Sequence, residues 1–171
     1  MEEKNIEEEL SETVSIVIFR IQKEWLALPS IVLEKIIDAK NCTKLLHTIP
    51  HSKNPVLKGI INICGEIRLY VSLEKLLVLD YSNEENKTNH IYKRIMIINK
   101  NNNYFAFPVD EIHGIYRVDI NSLQNMPDSV VKSKKSFTKT MFKWDEKLVS
   151  FLDEELLFYS LSKIKIKNYE F

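Results

Sequence analysis

From Glu66 to Leu73 the chain alternates strictly, with Ile67, Leu69, Val71 and Leu73 apolar and Glu66, Arg68, Tyr70 and Ser72 between them. A period of two places the apolar set on one face of a half-buried strand and the polar set on the other. The strand follows Gly59-Ile60-Ile61-Asn62-Ile63-Cys64-Gly65, which uses two of the chain's three glycines around one asparagine. A chain so poor in glycine keeps one where a side chain cannot be fitted, for backbone freedom or for close approach of another segment. Together the two segments predict a binding surface built on a sheet.

The rest of the chain reads mostly as short strands. Val14 to Ile21 is a β-branched run suited to burial on both faces, Trp25-Leu26-Ala27-Leu28 is its hairpin partner, and Pro29 stops it. Residues 31–37 read as a strand, and residues 38–58, with Asn41, Pro50, Ser52, Asn54 and Pro55, as a long connection. Ser72 is placed to cap a short helix over Leu73–Leu77, and residues 80–90 form a polar loop. Arg94–Ile98 and Tyr104–Val109 pair across Lys100-Asn101-Asn102-Asn103, where asparagine replaces glycine as the residue that tolerates positive φ. Ile112–Val118 is a further strand with a bulge expected at Gly114, and residues 119–136 are another connection. Phe137–Lys143 and Leu148–Leu152 pair across Trp144-Asp145-Glu146-Lys147. Asp153 then caps a terminal helix that has Glu154 and Glu155 in its first turn and lysines near its end. Strands outnumber helices, so the fold class is mainly β, as one or two small barrels.

Composition narrows the partners more than the fold. At 171 residues and 44% hydrophobic, the chain fits one domain or two small, mutually dependent barrels. Lys plus Arg equals Asp plus Glu at 24 each, so there is no long-range attraction to nucleic acid or anionic lipid. Charge is concentrated at the ends: residues 1–13 form an acidic leader with Glu2, Glu3, Glu7, Glu8, Glu9 and Glu12, and residues 161–171 a basic tail with Lys163, Lys165 and Lys167. Both read as solvated. No apolar run reaches the roughly 20 residues that span a bilayer, and an acidic start is the opposite of a signal peptide. A cytoplasmic protein is expected, with Cys42 and Cys64 reduced.

Candidate chemistry is sparse. The chain has no Gly-rich phosphate loop, no nucleophile elbow and no recognisable carboxylate pair, so no enzyme and no cofactor is expected. Cys42, His47 and His51 lack a further ligand and a defined spacing, and no metal site is assigned to them. His113 has no assignable acid partner and reads as a partly buried polar residue rather than a general base. Lys132, Lys134, Lys135, Lys139 and Lys143 interleave with Phe137, Phe142 and Trp144 in the manner of a single-strand nucleic-acid platform. Net neutrality removes the electrostatic term that such binding needs, which favours a strand with a basic outer face. An enzyme built on Cys64 would require a depressed thiol pKa and a nearby base. Leu156, Leu157, Leu161 and Ile164 form the core face of the last helix.

Taken in order, the landmarks resemble the CheW-like family of bacterial chemotaxis coupling proteins. They are the strand Val14–Ile21, the segment from Leu26-Ala27-Leu28-Pro29 to Lys35-Ile36, the Gly59–Ile67 run with its strand and short helix, Phe107-Pro108-Val109-Asp110-Glu111-Ile112-His113-Gly114-Ile115, and Leu148-Val149-Ser150-Phe151-Leu152-Asp153. They cover about residues 14–160, taken as one CheW-like domain of two β subdomains. Two departures stand out: the family usually has Arg where this chain has Cys64, and Glu where it has Lys35. The resemblance implies two interlocked five-stranded SH3-like β-barrels with short helices and a C-terminal helix. Residues near 14–75 would supply most of one barrel and residues near 92–150 most of the other, with exchange between them. It further implies a non-enzymatic scaffold that joins the cytoplasmic tips of chemoreceptors to the regulatory domain of the chemotaxis histidine kinase, or a divergent paralogous adaptor for an unusual receptor or kinase. By the same resemblance Leu33, Lys35, Ile36, Gly59, Asn62 and Cys64 are the receptor-binding residues. The outward face of the strand after Gly65, with Arg68 and Tyr70, is assigned to the kinase. Asn62→Asp or Gly59→Arg is expected to abolish receptor coupling and leave the protein folded.

Overall fold

A computed structural model describes residues 12–40, 43–48, 54–79, 90–123 and 137–169, with side chains not described for 43–48 and 165–169. Cys42, His51, Lys132, Lys134 and Lys135 lie outside the described residues, as do the acidic leader up to residue 11 and the polar loop over 80–89.

Among the described residues eleven strands and two α-helices follow in order: β1 Thr13–Ile21, β2 Glu24–Pro29, β3 Leu33–Asp38, β4 Thr43–Thr48, β5 Leu57–Ile63, β6 Glu66–Val71, α1 Leu73–Leu76, β7 Arg94–Lys100, β8 Asn103–Val109, β9 Glu111–Asp119, β10 Thr138–Trp144, β11 Lys147–Leu152 and α2 Glu154–Tyr169. They form a five-stranded sheet ordered β10-β11-β2-β1-β9 and a six-stranded sheet ordered β3-β7-β8-β6-β5-β4. The mainly β, two-part architecture is therefore present. Its division along the chain differs from expectation: the six-stranded sheet is one uninterrupted stretch, residues 33–109, inserted between β2 and β9 of the other. The reason is long-range pairing, since β9 lies against β1 rather than against its neighbour β8.

Among the described residues three apolar clusters hold the sheets. The largest lies between them and takes Val17, Phe19 and Leu28 from one, Met96, Ile98, Phe105 and Phe107 from the other, and Leu157, Phe158, Leu161 and Ile164 from α2. Ile16, Ile18, Val149 and Phe151 fill the concave face of the five-stranded sheet, and Ile61, Ile63, Ile95 and Ile97 that of the six-stranded sheet. β1 serves two clusters at once, and Ile16, Val17, Ile18 and Phe19 are each fully buried, as its unbroken apolar run requires. Helix α2 carries this packing into residues 161–164, so that part of the basic segment begins as core helix.

Both sheets curl until distant strands meet through side chains. In the five-stranded sheet the rings of Tyr116 on edge strand β9 and Trp144 on edge strand β10 stand 4.7 Å apart. In the six-stranded sheet Lys35 on edge strand β3 reaches Glu66 on β6, Nζ to Oε2 4.0 Å. Two-residue turns set the hairpins. Cys64–Gly65, Asn101–Asn102 and Asp145–Glu146 all have both φ angles positive, the conformation that matches strand twist. The caps fall where expected, with Ser72 Oγ accepting from Lys75 N at 3.2 Å and Asp153 Oδ1 from Leu156 N at 3.2 Å. The passage from β8 to β9 is clamped to the β1–β2 turn: Asp110 Oδ2 accepts from Gln22 N at 2.6 Å, Asp110 N donates to Arg20 O at 2.9 Å, and Arg20 pairs with Glu111 at 3.2 Å.

Two local expectations are corrected. Ser30–Val32 is a 3-10 turn, so the strand begins at Leu33, because the chain must bend after Pro29 to pass from one sheet to the other. The connection read over 38–58 contains β4, an edge strand that is held by backbone pairing with β5. His47, weighed as a metal ligand, lies in that strand.

Candidate functional site

The candidate residues cluster around the β5–β6 hairpin and the edge strand β3. In β5 the pairing skips a residue between Leu57 and Gly59, and Gly59 sits opposite Tyr70 with φ 154°. Gly59 is buried. An arginine there would have to enter the sheet at a backbone angle that side chains rarely adopt, so Gly59→Arg probes folding rather than a surface. Asn62 is committed to the turn, its Oδ1 accepting from Gly65 N at 2.9 Å. Aspartate keeps that acceptor and adds charge, which leaves Asn62→Asp as the clean surface probe. Cys64 is exposed at the hairpin tip with φ 50°.

Cross-strand partners share a face, which sorts the hairpin. Ile61, Ile63, Glu66, Arg68 and Tyr70 belong to the concave face, while Ile60, Asn62, Ile67 and Leu69 belong to the face turned toward the other sheet. Ile67 was expected in the core but is 61% exposed, because the hairpin reaches past the cover of the second sheet. Arg68 and Tyr70 were expected to point outward. Instead the Arg68 guanidinium lies over the Tyr104 ring, 3.8 Å from its centroid, and donates to Glu66 Oε2 at 3.1 Å. Tyr70 packs against the concave cluster, with Lys58 Nζ 5.9 Å from its ring centroid.

In β3 the pairing skips a residue between Leu33 and Lys35, and this bulge turns Lys35 to the concave side with Ile37. Ile36, opposite Met96, faces the other way and is 38% exposed. Leu33 is half-buried against the inter-sheet cluster. The fold thus brings Lys35 to the hairpin tip that carries Asn62 and Cys64, and sets Leu33 and Ile36 on the opposite face of the same strand. Sequence reading missed Glu66, Ile67 and Tyr104. A charged residue beside the hairpin tip was a usable signal for Glu66, whereas nothing local connects Tyr104 to Arg68.

Burial pushes the Tyr70 hydroxyl up to about 12 from an ordinary value of 10.0. It also raises Tyr92, whose hydroxyl donates to Glu74 at 2.6 Å, and burial lowers Lys58 against the opposing pull of Glu74. A folded-state value above the unfolded one stabilises fully below the unfolded pKa and fades as pH rises through the folded one. The Tyr70 contribution should hold up to pH 10.0 and be lost between there and about pH 12, and Tyr70→Phe should shallow the alkaline fall in pH-dependent urea melts.

The nucleic-acid reading loses its aromatic platform. Phe142 is core, Phe137 packs on the inter-sheet cluster and Trp144 on the five-stranded sheet's own cluster, so these aromatics offer no stacking platform. Among the described residues no group of three or more His, Cys, Asp or Glu could hold a metal ion, and no helix is long and apolar enough to cross a membrane. His113 is taken up structurally, Nδ1 lying 2.7 Å from the Tyr116 hydroxyl and Nε2 3.7 Å from Asp145.

Two curled sheets sharing one core, with exposed apolar and charged side chains along their rims, define a β scaffold of the binding-module class. The chain belongs to the CheW-like domain family, which matches residues 15–162. It is 28% identical over 137 residues to the chemotaxis protein CheW of Thermotoga maritima, covering 79% of this chain and 81% of that protein. The crystal structure of the scaffolding protein TtCheW from Thermoanaerobacter tengcongensis superposes with a TM-score of 0.64 at 22% identity, covering 83% of this chain and 90% of that one.

Proposed function

We propose that this chain is a chemotaxis scaffold that couples transmembrane chemoreceptors to the chemotaxis histidine kinase in the cytoplasm, and that it transforms no molecule itself. The observation that carries this reading is the CheW-like match across residues 15–162, which takes in every described strand except the first two residues of β1. The receptor's cytoplasmic tip is assigned to Leu33, Lys35, Ile36, Asn62 and Cys64, with Gly59 shaping the strand beneath them. The kinase's regulatory domain is assigned to the strand bearing Arg68 and Tyr70. A scaffold of this kind needs two separate surfaces, each on the order of 500–800 Å², and modest affinities are offset by multivalency in an array.

Co-sedimentation with a receptor cytoplasmic fragment and the kinase regulatory domain, separately and together, tests the reading. Binding to each alone and a ternary pellet are expected, and absence of either binary complex would refute full coupling. Asn62→Asp should cut receptor binding at least about tenfold, about 1.4 kcal/mol, with an unchanged thermal melt. Unaltered kinase stimulation by that variant would remove Asn62 from the receptor site. Lys35 and Cys64, standing where the family usually has Glu and Arg, favour a divergent paralogous adaptor as the second reading. Binding to only one of the two partners would select it.

A further inference from the structure

Lys58 is the extra residue of the β5 bulge, passed over where Leu57 pairs with Val71 and Gly59 with Tyr70. A bulge re-aims the side chain it carries. Here it sets the half-buried ammonium against two rings, Nζ lying 5.9 Å from the Tyr70 centroid and 5.8 Å from that of Tyr92. Among the described residues Lys58 makes no hydrogen bond and no ion pair. Burial lowers its pKa, Glu74 pulls it back up from a distance, and the like charge of Lys75 lowers it further. Glu74 Oε2 is already engaged by the Tyr92 hydroxyl at 2.6 Å. Ring faces attract a cation without satisfying its three N–H donors. Part of the water of this ammonium is thus removed in the folded chain before any partner arrives, so a carboxylate that meets it gains the attraction at a smaller desolvation cost than at a fully hydrated lysine.

We infer that Lys58 is a specificity residue of the kinase-facing surface and receives an acidic side chain of the kinase's regulatory domain beside Tyr70. The inference rests on the scaffold reading, deepens the assignment of Arg68 and Tyr70 to the kinase, and leaves the receptor site untouched. It also carries a signature in the free chain: a half-buried cation without an acceptor weakens the fold that holds it.

The test is titration of the full chain with the kinase regulatory domain at about 50 mM and about 300 mM salt, beside thermal melts of each variant. Lys58→Met keeps the apolar stem and removes the charge. It should weaken binding at least about fivefold at the lower salt, flatten the salt dependence, and leave the melting temperature unchanged or higher. Lys93→Met, at an exposed lysine just before β7, should change binding less than about twofold. Lys58→Glu should bind more weakly still, and changing acidic residues of the domain to Lys in turn should yield one variant that restores it. Receptor-fragment binding should be the same for wild type and Lys58→Met. If wild type does not bind the domain, the kinase half of the scaffold reading fails and this inference falls with it. If wild type binds and Lys58→Met binds equally well, or loses binding together with melting temperature, or no domain variant restores Lys58→Glu, the acidic partner at Lys58 is overturned and the scaffold reading stands.

Discussion

Phe107→Ala should destabilise the fold by about 3–5 kcal/mol, the range for truncating a large aromatic residue in a close-packed core. Phe107 is fully buried on β8, and its ring centroid lies 5.9 Å from that of Phe19, fully buried on β1. One ring belongs to each sheet. The substitution therefore leaves a cavity on the plane that joins the sheets, where neither can collapse without moving relative to the other. Urea denaturation with fluorescence detection should show a midpoint lowered in proportion, with an unchanged slope if the transition stays all-or-none. A loss below about 1 kcal/mol would mean that the sheets are held mainly by α2.

Gly114→Ala should cost about 2–4 kcal/mol, for two reasons that can be separated. Gly114 has φ 155°, and a Cβ built on it would stand 2.6 Å from the Tyr116 hydroxyl oxygen. That oxygen cannot swing away freely. It is bonded to His113 Nδ1 at 2.7 Å and His113 O at 3.1 Å, while the Tyr116 ring packs on Trp144. The same Cβ would stand 2.8 Å from Tyr116 Cζ, so in a Tyr116→Ala background, with the ring removed, the steric share should vanish and the backbone share remain, and a double-mutant cycle in thermal or urea melts should show a coupling of about 1 kcal/mol or more. Strict additivity would place the whole cost in the backbone.

These local devices were readable from sequence because local chemistry produces them. Asn101 and Asn102 tolerate positive φ, Ser72 and Asp153 can accept from a free N–H, and an apolar run such as Ile16–Phe19 can only be buried on both faces. Pairing between distant segments left no such mark. Thr43–Thr48 has two adjacent leucines and no alternation, and it is a strand because β5 offers it an open edge. For the same reason the division of the sheets could not be read: β1 alone cannot show that its second partner lies some hundred residues away rather than in the next hairpin. At the candidate site, family landmarks located Lys35, Asn62 and Cys64. The exposure of Ile67 and the stacking of Arg68 on Tyr104 depend on where the second sheet stops covering the first. Alternation says which residues share a face and is silent on whether that face is covered throughout.

The insertion of residues 33–109 between β2 and β9 also fixes an order of events during synthesis. As the ribosome delivers the chain, all six strands of the inserted unit emerge before β9 begins. The β1–β2 hairpin, though made first, can lay Val17, Phe19 and Leu28 on that unit, but its other apolar face, with Ile16, Ile18 and Ala27, must wait unpartnered until β9, β10 and β11 arrive to enclose it. The interval between those two moments, rather than the finished molecule, is when this protein is most exposed to aggregation and most in need of a chaperone.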